Sequence, residues 1–150
     1  MKEKQIRVKA MCLLEHDGRV LVADAETLKS TRENRETIPG VFYRVLGGGM
    51  NFSESAEECV RREIREELDS EIDNLKFLDV IENRFKYGGE HGHEIVFLFS
   101  GTLTEKNLLE QEAIHILDDG YEFDAVWVSK EKLTSGEKPL YPKTNYDRFI

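Results

Sequence analysis

The first chemical signal in this 150-residue chain is a set of three glutamates in "REIREEL". Glu63, Glu66 and Glu67 stand at i, i+3 and i+4, so an α-helix stacks them along one side. With Ala56 at the origin of a wheel turning about 100° per residue, Cys59, Val60, Ile64 and Leu68 form an apolar arc. The three carboxylates fall on or beside that arc, at about 340°, 280° and 20° respectively. Acids on a merely solvated helix belong on the opposite side. Carboxylates crowded this way repel one another and are costly to bury unpaired, so they require a positive partner. A hard cation with oxygen ligands, Mg²⁺ or Mn²⁺, suits them, because no His or Cys is present to favour a softer metal. Intrahelical pairs (Glu57 to Arg61, Glu58 to Arg62, Arg62 to Glu66) explain the arginines and outward acids at about 0.3–0.5 kcal/mol each. They leave the inward position of Glu67 unexplained.

The elements around this helix are arranged to hold a ligand. "VFYRVLGGG" reads as a strand running into Gly47, Gly48 and Gly49, and the helix follows from about Ser55 to Leu68. Glycines there permit backbone conformations closed to other residues and let another group approach closely. Upstream, "IRVKAMCLLEHDGRVLVADA" predicts a hairpin, Ile6 to Glu15 and Arg19 to Ala23, turning at Asp17-Gly18. Polar residues from Glu26 to Gly40, ending in Pro-Gly, read as a long exposed loop. Downstream, Leu75 to Phe85 and His93 to Leu103 read as paired strands separated by "KYGGEHG". The second is apolar on both alternating faces, which places it centrally with both sides covered. Further on, a strand is expected around Phe123 to Val128, a short helix at Lys130 to Leu133, and a terminal helix in "PLYPKTNYDRFI". Strands on both sides of a central helix give an α+β or α/β class.

Composition narrows the function. With 39% hydrophobic residues, the chain can bury one core and is read as a single domain. Thirty acidic against 21 basic residues give a formal charge of -9, which disfavours binding to nucleic-acid polymers or anionic membranes. An anionic substrate would therefore need a local bridge, and a divalent cation supplies one. Cys12 and Cys59 lie in apolar patterns without metal-ligand spacing, as buried thiols of a reducing compartment would, and no disulfide is expected. No signal-type segment opens the chain and no apolar run approaches the roughly 20 residues of a membrane span. A cytoplasmic location is expected.

Gly48, five residues, Glu54, seven residues, then Arg62-Glu63-Ile64-Arg65-Glu66-Glu67 resembles the Nudix box, G-x5-E-x7-R-E-U-x-E-E-x-G-U with U aliphatic. The similarity to Nudix hydrolases covers Gly48 to Ser70 closely and extends more weakly over the first hairpin and "WVSKEKL". The resemblance implies an α/β/α sandwich with a mixed β-sheet, the box forming a loop-helix-loop under a substrate diphosphate. It also implies hydrolysis of a nucleoside diphosphate derivative by water attacking phosphorus, with divalent cations essential. By position, Glu63, Glu66 and Glu67 match the metal-binding glutamates and Gly48 the glycine bordering the metal site. Arg62 and Glu54 match residues that orient those acids. The general base varies within the family, being sometimes a box glutamate and sometimes one in a later strand or loop. Some members sense nucleotides without cleaving them, and some are homodimers. Departures are Asp69 and Ser70 at the last glycine and aliphatic positions, and Asn51 and Ser53 in the loop.

Outside the box, Glu94 opens an apolar strand, where it can serve as base or extra metal ligand, or pair with a lysine; Glu82 is its rival. Arg44, Arg84 and Lys86 are candidates for outer phosphates, since a negative protein with an anionic ligand must place its cations deliberately. His91 and His93 are candidate contacts in a loop. Trp127 and Tyr121 can stack on a base, although at strand positions they more often fill a core. Nucleoside triphosphates, ADP-ribose, nucleotide sugars and dinucleoside polyphosphates all remain open as substrates.

Overall fold

A computed structural model describes residues 4–31 and 40–150. Strands β1 (Arg7–His16) and β2 (Arg19–Ser30) form the first hairpin, turning through Asp17 and Gly18 at φ 49° and 74°. Aspartate and glycine reach that left-handed conformation at low cost, which is why this dipeptide closes the hairpin. The strand β2 is longer than the sequence suggests, because its pairing with a later strand shifts register between Asp24 and Lys29. That irregularity absorbs polar residues without ending the strand, so the loop expected from Glu26 begins as strand, and residues 32–39 of it lie outside the described residues. Strand β3 (Tyr43–Gly49) wedges between the first two, its glycine half against Lys9–Cys12 of β1 and its first half against Val22–Asp24 of β2.

Helix α1 (Ala56–Leu68) follows the glycines, and then β4 (Ile72–Tyr87) and β5 (Glu90–Leu103) pair antiparallel. Their ladder continues to a tight turn at Gly88 and Gly89, φ 60° and 82°, so most of "KYGGEHG" is strand rather than loop. Strand β5 lies between β4 and β1, and pairs with β1 in parallel. After the short helix α2 (Lys106–Leu109), β6 (Ala113–Asp118) and β7 (Tyr121–Ser129) form another hairpin. Its Asp119-Gly120 turn, φ 34° and 86°, repeats the signal of the first hairpin. Helix α3 (Lys130–Thr134), a two-residue strand β8 (Leu140–Tyr141) parallel to β3, and a single 3₁₀ turn at Tyr146–Arg148 complete the chain. That turn replaces the terminal helix expected from the sequence.

Among the described residues eight strands form one mixed sheet in the order β4-β5-β1-β3-β2-β7-β6, with β8 beside β3. Strand alternation divides the core in two. Ala10, Cys12 and Leu14 join Leu46, Ile116 and Trp127 under Cys59, Val60, Ile64 and Leu68 of α1. Met11 and Leu13 join Val20, Val45 and Leu98 on the opposite face, covered by Leu133 of α3 and Tyr146. Helical cover on both faces makes this an α/β/α sandwich. Trp127 is core, its indole N–H donating to the Leu108 carbonyl at 3.1 Å. Both cysteines are buried free thiols. Among the described residues no helix is long and apolar enough to cross a membrane.

Candidate active site

Local chemistry fixes where α1 begins. The Ser55 hydroxyl accepts from Glu58 N at 3.1 Å, and the Glu58 carboxylate accepts from Ser55 N at 3.0 Å, a reciprocal cap that satisfies two otherwise orphaned donors. Glu58 is therefore engaged at the cap rather than with Arg62, as the helical spacing suggested. At the other end Asp69 adopts φ 51° and its N–H donates to Arg65 O at 2.9 Å, so aspartate fills a left-handed cap usually given to glycine. Ser70 is buried for a reason of its own: its hydroxyl accepts from Thr104 N and Glu105 N and donates to Glu71 O, pinning the helix exit to the end of β5.

Arg62 ties the glycine turn to the acids. Its guanidinium donates to Glu54 through Nε at 2.6 Å and Nη2 at 2.9 Å, to Gly49 O at 3.0 Å and to Glu63 Oε1 at 3.0 Å. It reaches Glu66 only at 3.3 Å. The charged hydrogen bonds from Arg62 hold the Glu54 carboxyl down to about 2. The second expected helical pair, Arg61 with Glu57, is present at 3.2 Å.

The acid triplet divides unequally. Glu63 lies against Gly48, where a side-chain Cβ would overlap its carboxyl group, so the absence of a side chain at this position makes the room. Glu67 stands beside Glu63, and its Oε1 is buried with no hydrogen-bond partner. Burial, then the negative charge of Asp118, pushes the Glu67 carboxyl up to about 8, and burial also raises Glu63 despite Arg62. Glu66 corrects the wheel reading: its side chain is 58% exposed and turned to Arg62 at the rim. Among the described residues no three His, Cys, Asp or Glu side chains already converge as a cation cage. The donor types nevertheless fit a hard divalent cation, because a buried carboxylate oxygen of Glu67 without a partner stands beside the Glu63 carboxylate, which Gly48 leaves room for.

A cavity of about 1300 Å³ opens beside Glu63 and Glu66, with Glu67 behind them and outside its lining. Glu63, Glu66 and Asp118 line it, as do Arg7, Lys9, Arg44, Arg84, Lys86 and Glu94. Arg44 lies near Glu67 and Lys9, 5.9 Å from the centre of the Phe123 ring. Glu94 is buried, paired to Lys9 Nζ at 2.6 Å and accepting from Asn83 Nδ2 at 3.3 Å. Of the sequence alternatives for Glu94, the lysine pair is the one formed. Burial, and then the charge of Arg44, lower the Lys9 ammonium from its ordinary value. Tyr121 lines the same cavity, whereas Glu82 is exposed and outside its lining. His91 and His93 lie on β5 and line a second cavity of about 910 Å³.

Asp118, Lys9 and Asn83 were missed in the sequence. The "DDG" turn following an alternating "AIHIL" carries the hairpin that delivers Asp118, and its signal is as readable as that of the first hairpin. Lys9 and Asn83 carry no local signal. They become partners of Glu94 only through parallel β1–β5 and antiparallel β4–β5 pairing.

These features define a Nudix protein, and the chain belongs to that family: the NUDIX domain model matches residues 4–148. Over 59 residues the chain is 41% identical to the NAD-capped RNA hydrolase NudC of Pseudomonas aeruginosa (strain LESB58); this segment is 39% of the chain and 20% of that relative. Thus the match spans one fifth of the relative's length. The mutator MutT protein of Bacillus halodurans has a similar structure, with TM-score 0.59 and 18% identity over 87% of this chain and 72% of the other. A MutT NUDIX hydrolase of Burkholderia pseudomallei gives 0.54 and 23% over 97% and 95%. A NUDIX hydrolase of Nitrosomonas europaea gives 0.57 and 17% over 87% and 77%. These structural likenesses concern the mixed sheet with few helices. Nudix hydrolases generally use divalent cations and act on small nucleotide derivatives.

Proposed function

We propose that this chain is a Mg²⁺-dependent pyrophosphohydrolase, with Mn²⁺ as an alternative cation, that hydrolyses the diphosphate linkage of a nucleoside diphosphate derivative by attack of water on phosphorus. The observation that carries the reading is the buried, unpartnered Glu67 Oε1 beside Glu63, which with Gly48 lines a cavity that also holds Lys9, Arg44 and Arg84, in a chain of charge -9. Glu63, Glu66 and Glu67, bordered by Gly48, would hold the metal. When bound it supplies charge neutralisation at the bridging phosphates and a more acidic water.

The protein's own residues set the remaining roles. Arg62 joins Glu63 and Glu54 through one guanidinium and holds the glycine turn through Gly49 O. Arg44 and Arg84 carry fixed positive charge into the cavity and would meet the outer phosphate oxygens. Glu66 or Glu67 would accept the proton of the attacking water. Glu94 is engaged differently, one oxygen paired to the Lys9 ammonium at 2.6 Å and the other accepting from Asn83.

A hydrolysis screen tests the proposal, run with Mg²⁺ and Mn²⁺ over nucleoside triphosphates, ADP-ribose, nucleotide sugars and dinucleoside polyphosphates. It predicts cleavage between phosphorus atoms, with the products locating the bond. Tight nucleotide binding without product across all four classes would instead favour a sensing module.

A further inference from the structure

Lys9, Asn83 and Glu94 make a buried polar edge in the wall of the large cavity, on the sheet face opposite α1. Alternation places Lys9 with Met11 and Leu13, Asn83 with Ile81, and Glu94 with Val96 and Leu98, all in the cluster on that face. Cross-strand pairing sets Asn83 against Glu94 and, one step on the same face, Phe85 against Gly92. A Cβ at Gly92 would overlap the Phe85 ring, so the ring lies over the glycine backbone beside the polar edge. Phe42 and Tyr87, ring centres 5.5 Å apart and perpendicular, line the same cavity.

We propose that this polar edge reads a guanine base, with Phe85 as the apolar surface beside it; the assignment rests on the cavity being the nucleotide site proposed above. The chemistry of the groups selects the base. A lysine ammonium only donates and a carboxylate only accepts, so the ligand must offer an acceptor to Lys9 and donors to Glu94, side by side. Every base has one such donor–acceptor pair. Guanine alone follows its O6 acceptor with two adjacent donors, N1–H and the N2 amine, which the two oxygens of Glu94 accept together. Each of those oxygens keeps a lone pair beyond its present bond to Lys9 or Asn83. Sites built to hydrogen-bond a substrate reject analogues that leave buried groups unpaired, and the flat ring fits an aromatic-lined cavity. Glu94 thereby becomes a specificity residue rather than the proton acceptor.

Equilibrium binding of GDP, IDP, ADP, CDP and UDP to the metal-free protein tests this without reference to turnover. The expected result is GDP bound at least tenfold more tightly than ADP, CDP and UDP, with IDP, which lacks the N2 amine, intermediate. Equal affinities, or a preference for another base, would overturn the assignment while leaving the hydrolase reading intact. In turnover with Mg²⁺, Glu94→Gln should collapse the ratio of kcat/KM between guanine and adenine substrates. A uniform fall in kcat over all bases would identify Glu94 as the proton acceptor and contradict the proposal. Asn83→Ala, which leaves the Lys9–Glu94 pair in place, should reduce the same ratio if Glu94→Gln does not fold.

Discussion

Glu54 and Arg62, one before the helix and one within it, are joined by two hydrogen bonds of 2.6 and 2.9 Å, and the same guanidinium reaches Gly49 O and Glu63. One side chain thus fixes the glycine turn and the acid cluster relative to each other. A lysine carries the charge but only one nitrogen, and cannot reproduce that fork. Arg62→Lys should cost about 2 kcal/mol of stability and at least tenfold in kcat/KM, measured by urea unfolding and steady-state kinetics.

The Glu54 carboxyl also predicts a pH effect. Arg62 depresses it in the fold to about 2 from an ordinary 4.5. Its stabilisation is therefore complete above the unfolded value and is lost as pH falls from about 4.5 through about 2, where the native state too becomes protonated. Urea midpoints of wild type between pH 6 and 2 should fall more steeply than those of Glu54→Gln. Parallel curves would remove Glu54 from the ion pair in solution.

Gly48 does not need its backbone conformation, since its φ is not among the positive values; it needs the space. In Gly48→Ala the new methyl overlaps the Glu63 carboxyl, the far end of a flexible side chain, so the variant should keep its fold with Glu63 pushed aside. Displacing Glu63 should also weaken Mg²⁺ binding, read by calorimetric titration. Wild-type affinity in this variant would place the cation elsewhere.

Asp69 holds a left-handed φ of 51° without being glycine. Asp69→Gly should stabilise the protein by about 0.5–1 kcal/mol, raising Tm while leaving activity unchanged.

The box was legible because its spacing is local: helix period, cap and charged pairs are all written within α1 and the turn before it. Glu63 and Glu67 could be placed by period alone, whereas Glu66 could not. Period set it beside the apolar arc, whereas its side chain turns out to Arg62, its i, i+4 partner, at the rim. The first hairpin and the β4–β5 pair were readable from Asp-Gly and branched residues, but β2 outran its apolar pattern because a register shift let polar residues remain in the ladder. Least legible was the Lys9–Asn83–Glu94 edge, whose members come from three strands and meet only through sheet order. Charge pairing of this kind has no sequence period to reveal it.

The central claim is that Glu67 presents a carboxylate to a catalytic cation, and Glu67→Gln tests it most directly, since it keeps size and shape while removing the charge. With Mg²⁺ and a substrate found by the hydrolysis screen, the variant should keep its fold by circular dichroism, bind Mg²⁺ at least tenfold more weakly and lose at least about 10²-fold in kcat. Wild-type turnover and Mg²⁺ affinity in a folded Glu67→Gln protein would contradict the account.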